Sequence, residues 1–420
     1  MQTPLNKKSL FHYGWVIWFV AALFYAVEFF QRVAPSVIAK PLADGFHILP
    51  ATLGLVMSFY YYAYAVSQIP VGILLDRFGA RYNLAIACFV VALGTILFST
   101  TDALWVLALA RILVGIGSAF AFIGCLKLSR DWFPSRQYAV VVGLTNTLGV
   151  VGALAGLEPL TILMNRIGWQ QALLVTAMVG IIISLLLVLV VRDRKREPMS
   201  CCKTLTISAW QGLKLLVKSW QAWLISIYAG LMVAPIIAFA ELWGVAYFEK
   251  TQGLSPTLAA QANTLIFIGI AVGGPLNGLF SGWISRRKPV MLIGNLMALL
   301  LFMVIILVPH LPLLSLETIM FAFGFFTSSM LVAFPLNAEL HPRQISGSVM
   351  AVTNMFIMII GASFQPLIGL VLQVTQHADD LIQATNQDFR HALWILPIAL
   401  AVNLLILCWI KESHCAHQSR

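Results

Sequence analysis

Charge is scarce in this sequence: Asp, Glu, Lys and Arg make up 10% of its 420 residues, whereas hydrophobic residues make up 60%. With a mean hydropathy of +0.89, too few polar side chains remain to cover a water-facing surface, which excludes a soluble globular protein and points to a chain that crosses a membrane many times. Acidic residues are scarcer than basic ones, 16 against 26, for a net charge of +10. The basic residues are nevertheless scattered among short breaks, with no long basic helix and no aromatic-laced patch, so no nucleic-acid partner is expected. The six cysteines (Cys88, Cys125, Cys201, Cys202, Cys408, Cys415) form no CxxC pair. Neither they nor His310, His341, His377 and His391 show metal-ligand spacing, so neither disulfides nor a metal centre is expected. Also missing are a nucleophile–base constellation, a zinc motif and a phosphate-cradling loop; the chain is not expected to be an enzyme or to need a cofactor. The amino-terminal "MQTPLNKKSLFHYGW" leads into a hydrophobic run with no small-residue cleavage site and reads as a retained first span.

What is present is a series of apolar windows long enough to cross a core of about 30 Å at about 1.5 Å per residue. They fall near residues 14–38, 50–73, 82–100, 104–128, 138–163, 169–191, 220–247, 260–284, 289–309, 313–337, 346–374 and 390–410, twelve in all. With both termini in the cytoplasm, twenty of the 26 Lys and Arg lie in cytoplasmic breaks, and only Lys40, Arg166, Lys250 and Arg390 fall on the other side. The positive-inside rule therefore sets the orientation, in a cytoplasmic (inner) membrane. The longest polar break divides the chain into residues 1–191, a cytoplasmic linker 192–219 whose basic second half is amphipathic, and residues 220–420.

The two halves repeat each other. "PSRQYAVVVGLTN" (134–146) matches "PRQISGSVMAVTN" (342–354) at an offset of 208, pairing Asn146 with Asn354 and, at the same offset, Asp131 with Glu339. "GILLDRFGARY" (72–82) matches "GLFSGWISRRK" (278–288) at 206. The expected fold is all-α: twelve transmembrane helices in two pseudo-symmetric six-helix bundles, with a solute site at their interface.

On these residues the chain resembles the major facilitator superfamily. "GILLDRFGARYN" is similar to that family's loop signature between spans two and three, through Gly72, Asp76, Arg77, Gly79 and Arg81. The resemblance implies a cytoplasmic gate in which Gly72 lets two helices approach and Arg77 and Arg81 bridge to acids such as Asp131. The second copy has Gly282 and Trp283 where the first has Asp76 and Arg77, so a weaker latch is expected there, or one acting through Arg286, Arg287 and Lys288. "LARILVGIGSAFAF" resembles the family's span-four segment through Arg111, Gly115 and Gly117. Arg111 is then either a snorkelling arginine or, as the resemblance implies, a proton-coupling residue. The G-x-x-x-G-P-x-x-G-G segment of many drug antiporters in the superfamily is absent from span five, which argues against multidrug efflux.

"YAVEFFQRVAPSV" (25–37) carries Glu28, Gln31 and Arg32 inside an apolar span. It looks most like the organic-anion/proton symporter branches, where the arginine at the Arg32 position binds substrate carboxylate; Gln31 stands where an aspartate is usual. Glu28 and Arg32, spaced i and i+4, share a helix face. Either they form a closed ion pair that only orients the helix, or a substrate anion captures the guanidinium and leaves Glu28 to take a proton. Glu241 in span seven is the second candidate proton carrier. Gln31, Tyr61, Tyr64, Asn146, Asn354 and Gln365 are candidate substrate contacts, the uncharged amides serving otherwise as interhelical glue.

The expected function is a proton-coupled symporter importing a small organic anion, such as a carboxylate, sugar acid or metal-chelating acid, driven by the proton gradient and acting as a monomer in the lipid bilayer. Proton-antiport efflux and a non-transporting sensor of the same fold are the alternatives.

Overall fold

The computed structural model describes residues 7–133, 135–193, 219–308, 310–341, 346–376 and 385–414. All regular structure among them is helical, as a lipid solvent demands: with no water to bond exposed peptide groups, a spanning segment has to satisfy them within itself. Eleven of the described helical segments are long and apolar enough to cross a membrane. Pro50–Phe78, at 29 residues, is a borderline twelfth, diluted by the polar ends of Tyr60, Tyr61, Tyr62 and Tyr64 and by Gln68. The count of twelve is therefore consistent with the apolar windows. Most of the linker 192–219 lies outside the described residues.

Seven spans are single helices: Pro50–Phe78, Arg81–Thr100, Leu104–Trp132, Trp169–Val190, Pro256–Trp283, Lys288–Leu307 and Ser346–Gln376. The other five are broken, and each break has a proline four residues beyond a carbonyl that loses its helical partner. Span one runs Lys7–Val33 and resumes as Pro35–Phe46; span five runs Ser135–Ala155, then Glu158–Ile167 with Pro159. Span seven is Trp220–Ala234, a π-helix Pro235–Trp243, then Gly244–Thr251. Span ten passes through a 3₁₀ segment, Ser328–Val332, before Pro335, and span twelve runs Asn386–Leu393 then Ile395–Trp409 with Pro397. Ala155 and Leu393, the last residues before two of the breaks, are the positions four residues ahead of Pro159 and Pro397. Pro70, Pro275 and Pro366 are instead carried inside unbroken helices.

The chain groups into two compact units, Met1–Arg32 with Tyr62–Cys202 and Val33–Tyr61 with Lys203–Arg420. In the first, Gly117 lets spans three and four touch, since a Cβ there would lie 2.6 Å from the Ala87 carbonyl oxygen. Ser184 of span six donates to the Ala85 carbonyl at 2.8 Å. In the second unit, buried amides serve the same purpose: Asn295 donates to the Leu400 carbonyl and Asn403 to that of Tyr228, both at 3.1 Å. Each amide satisfies its donor inside the membrane while tying one span to another.

Candidate functional site

Span one carries the charged site of the first unit. Glu28 is fully buried, and the Arg32 Nη2 donates to its Oε1 at 2.7 Å. The arginine side chain keeps 9% of its surface exposed and the glutamate none. Aromatic faces complete the cradle: the guanidinium carbon lies 4.7 Å from the Phe29 ring centre and 5.5 Å from that of Tyr64. Tyr25 packs edge-on against Phe29 and donates from its hydroxyl to Asn146 at 3.4 Å, which brings span five to the site. Span five comes that close because Gly152 faces the Ala26 carbonyl, where a Cβ would lie 2.0 Å from the oxygen.

Two of the expected residues have their polar groups directed into the bundle. Gln31 donates its amide to Thr95 of span three at 2.9 Å. Arg111, 4% exposed, does not snorkel: its Nη1 donates to the main-chain oxygen of Gln31 at 3.2 Å. That carbonyl lies four residues before Pro35, which has no N–H to give it.

The second unit holds Tyr61, Glu241 and Gln365. Tyr61 and Glu241 are buried, and the Tyr61 hydroxyl donates to the Glu241 carboxylate. Gln365 donates its amide to the Ile237 carbonyl at 2.9 Å, and Asn354 is half-buried in the same helix, Ser346–Gln376. Lys40 of the helix Pro35–Phe46 pairs with Glu249 of span seven at 3.0 Å. Asn263, which sequence reasoning did not single out, donates to the Ala240 carbonyl at 2.6 Å.

The expected gate is built differently from its family pattern. Among the described residues a Cβ at Gly72 would meet nothing within 4 Å, so the close helix approach expected there is not seen among them. Gly79 does need to be glycine: its φ is +83°, and a Cβ would meet the Asp193 carboxylate at 2.3 Å. Arg81 donates from Nε and Nη2 to the Val188 carbonyl at 2.9 and 2.6 Å rather than bridging to Asp131. Arg77 is exposed over the Phe78 ring, and Asp131 lies 3.8 Å from Arg130. The side chain of Asp76 lies outside the described residues.

At this end Asp193 accepts from the backbone N–H of Ala80 at 2.6 Å and of Arg81 at 3.3 Å, capping span three. The second unit repeats the device: Glu412 accepts from the N–H groups of Arg287 and Lys288, both at 2.9 Å, capping span nine. Asp193 and Glu412 each lie three residues beyond the last residue of their unit's final helix, Val190 and Trp409. Arg287 donates to Glu339 at 2.7 and 3.3 Å, and Ser413 donates to Glu339 at 2.5 Å. The acids of the two caps sit in "VRDRKRE" and "IKESH", where nothing local marks them as caps. Burial pushes the Glu412 carboxyl up, but the backbone N–H groups of Arg287, Lys288, Ser413 and His414 outweigh it and hold the group below its ordinary range.

Residues 17–366 match the sequence model of the Major Facilitator Superfamily. The "Probable galactarate/D-glucarate transporter GudP" of Escherichia coli K12 is 25% identical over 394 residues, 85% of this chain and 87% of that protein. The "Membrane sensor protein UhpC" of the same strain is 24% identical over 81% of each. In fold, the chain aligns over 94% of its length with a bacterial homolog of the human lysosomal transporter Spinster, crystallised in an inward-facing, unoccupied conformation, with a TM-score of 0.79 at 17% identity and 96% coverage of that chain.

Proposed function

Since the chain belongs to the Major Facilitator Superfamily, a family of transporters and not of enzymes, we propose that it imports a small organic anion of the sugar-acid class by proton symport. The setting is the inner membrane, with both termini cytoplasmic, and the cycle is one of alternating access. The observation that carries this reading is the buried Glu28–Arg32 pair, in which the cation alone retains exposure. A guanidinium presents a planar fork that matches a carboxylate with two parallel hydrogen bonds. Phe29 and Tyr64 hold that fork against the rings, so the orientation is set before the solute arrives. A sugar carboxylate that takes the guanidinium leaves Glu28 facing no compensating charge from Arg32, and a proton replaces it. Uptake of the anion is then coupled to entry of a proton. Glu241 is a second proton-exchanging acid, Arg111 supports coupling by fixing the end of span one, and Asn146, Asn354 and Gln365 are the candidate polar contacts for the solute. The similarity to a galactarate/D-glucarate transporter supports the substrate class.

The test is uptake into proteoliposomes under an imposed pH gradient, with a panel of sugar mono- and dicarboxylates and neutral sugars as controls. Arg32→Lys should lose most transport while the protein still folds, because a point charge cannot replace the fork. Glu28→Gln should spare counterflow and abolish accumulation. Wild-type uptake in Arg32→Lys would overturn the reading. The similarity to UhpC favours a second reading, a sensor that binds the anion without moving it; binding without counterflow would establish it.

A further inference from the structure

Span seven contains nine residues of π-helix, Pro235–Trp243, every one of them buried. Such a winding places one residue too many in the turn and leaves carbonyls out of the α pattern, which is why it persists only where something compensates and why it recurs at functional sites. Two side-chain amides compensate here. Gln365 of span eleven donates to the Ile237 carbonyl at 2.9 Å and Asn263 of span eight to the Ala240 carbonyl at 2.6 Å. The Trp243 indole returns a bond to the Gln365 main-chain oxygen at 3.1 Å, so Gln365 fastens both ends of the segment. Gly244 lets Asn263 in: a Cβ there would meet its Oδ1 at 2.9 Å. Inside this stapled and otherwise apolar segment sits Glu241, accepting from Tyr61.

Ionisable groups on the elements packed around the segment are few. Helix Pro35–Phe46 brings Lys40, paired with Glu249, and Asp44; span two brings Tyr60 and Tyr61. Span seven itself adds Lys250, Tyr228, bonded to the Met291 carbonyl, and Tyr247, bonded to that of Ile305. The helices Pro256–Trp283 and Ser346–Gln376, which supply the two amides, contain no ionisable side chain at all. Asn263 and Gln365 therefore act on Glu241 through the winding of the backbone and not through charge.

We infer that Asn263 and Gln365 are positioning residues that lock Pro235–Trp243 in the π form, hold the Glu241 carboxylate on the Tyr61 hydroxyl, and so set its affinity for the proton. Relaxing one π turn to α rotates the residues beyond it by about 100° and shifts them by about 1.5 Å, enough to take Glu241 off Tyr61. The inference rests on the reading of Glu241 as a proton-exchanging acid.

The experiment is pH-difference infrared spectroscopy of the full chain in lipid, with thermal stability recorded in parallel and Glu241→Gln identifying the carboxyl band. In Gln365→Met and Asn263→Leu, which keep shape and lose the donor, the midpoint of that band should move by about one pH unit, a tenfold change in proton affinity, in a protein that melts at a lower temperature but still cooperatively. Gln365→Asn and Asn263→Ser serve where a first variant fails to fold. A band absent in wild type and Glu241→Gln alike removes the proton role of Glu241 and the inference with it. A band that titrates identically in all folded amide variants overturns the inference alone.

Discussion

Arg111 donates to the main-chain oxygen of Gln31, the carbonyl that Pro35 leaves without a helical partner. The arginine thus supports the end of span one on which Arg32 sits, one residue further along. Arg111→Leu should lower stability by about 1–3 kcal/mol, the cost of leaving a buried carbonyl unsatisfied. Pro35→Ala returns an N–H four residues beyond Gln31, so the double variant should recover part of that loss. A thermal-unfolding cycle of the two single variants and the double one measures the coupling; strict additivity would show that the bond is not what Arg111 provides.

The Glu28–Arg32 pair predicts an asymmetry between single and double variants. Arg32→Gln strands a fully buried carboxylate, and breaking such a pair costs roughly 3–5 kcal/mol. Glu28→Gln together with Arg32→Gln removes both charges and should be more stable than Arg32→Gln alone. Denaturant titration in detergent compares them. Proton-driven transport should be absent from both, which separates the stability of the pair from its use.

Much of this was open to a sequence reading because lipid enforces it. The apolar windows and the pairing of Glu28 with Arg32 follow from hydropathy and from the i, i+4 spacing of a helix. The breaks were less legible: Pro35, Pro159 and Pro235 interrupt their spans while Pro70, Pro275 and Pro366 do not, and nothing local to the sequence separates the two sets. Gln31 and Gln365 read as candidate ligands and Asn263 went unnoticed, because the hydroxyl or carbonyl that each amide bonds lies on another span and leaves no mark beside it in the sequence. Asp193 and Glu412 were hidden for the same reason, since a cap more than a hundred residues from its helix has no local signature.

The two glycines of the loop signature should respond oppositely to alanine. Gly79 has a φ of +83° and its Cβ position is filled by Asp193. Gly79→Ala should therefore cost at least the roughly 1–2 kcal/mol of a left-handed L-residue, and should loosen the cap on span three. Gly72 is helical with open space where a Cβ would go; Gly72→Ala should be neutral or gain up to about 1 kcal/mol. Melting temperatures of the two purified variants decide. Equal losses would mean that Gly72 makes a close contact after all.

Glu412 gives the cap on span nine a pH dependence whose sign is fixed. Its carboxyl is held below the ordinary range by four backbone N–H groups despite burial, so the folded protein binds a proton there less readily than the unfolded chain. Stability from this group is then fully present above the unfolded carboxylate value of about 4.3 and is lost as the pH falls through the lower folded value. Glu412→Gln should therefore melt below the wild type at neutral pH. The gap should narrow on acidification and close once the carboxylate is protonated in both states. Melting curves of the two proteins at matched pH values, taken as a difference so that the other carboxylates cancel, measure it. A gap that stays constant down to the most acidic point would mean that the caps on Arg287 and Lys288 owe nothing to the charge.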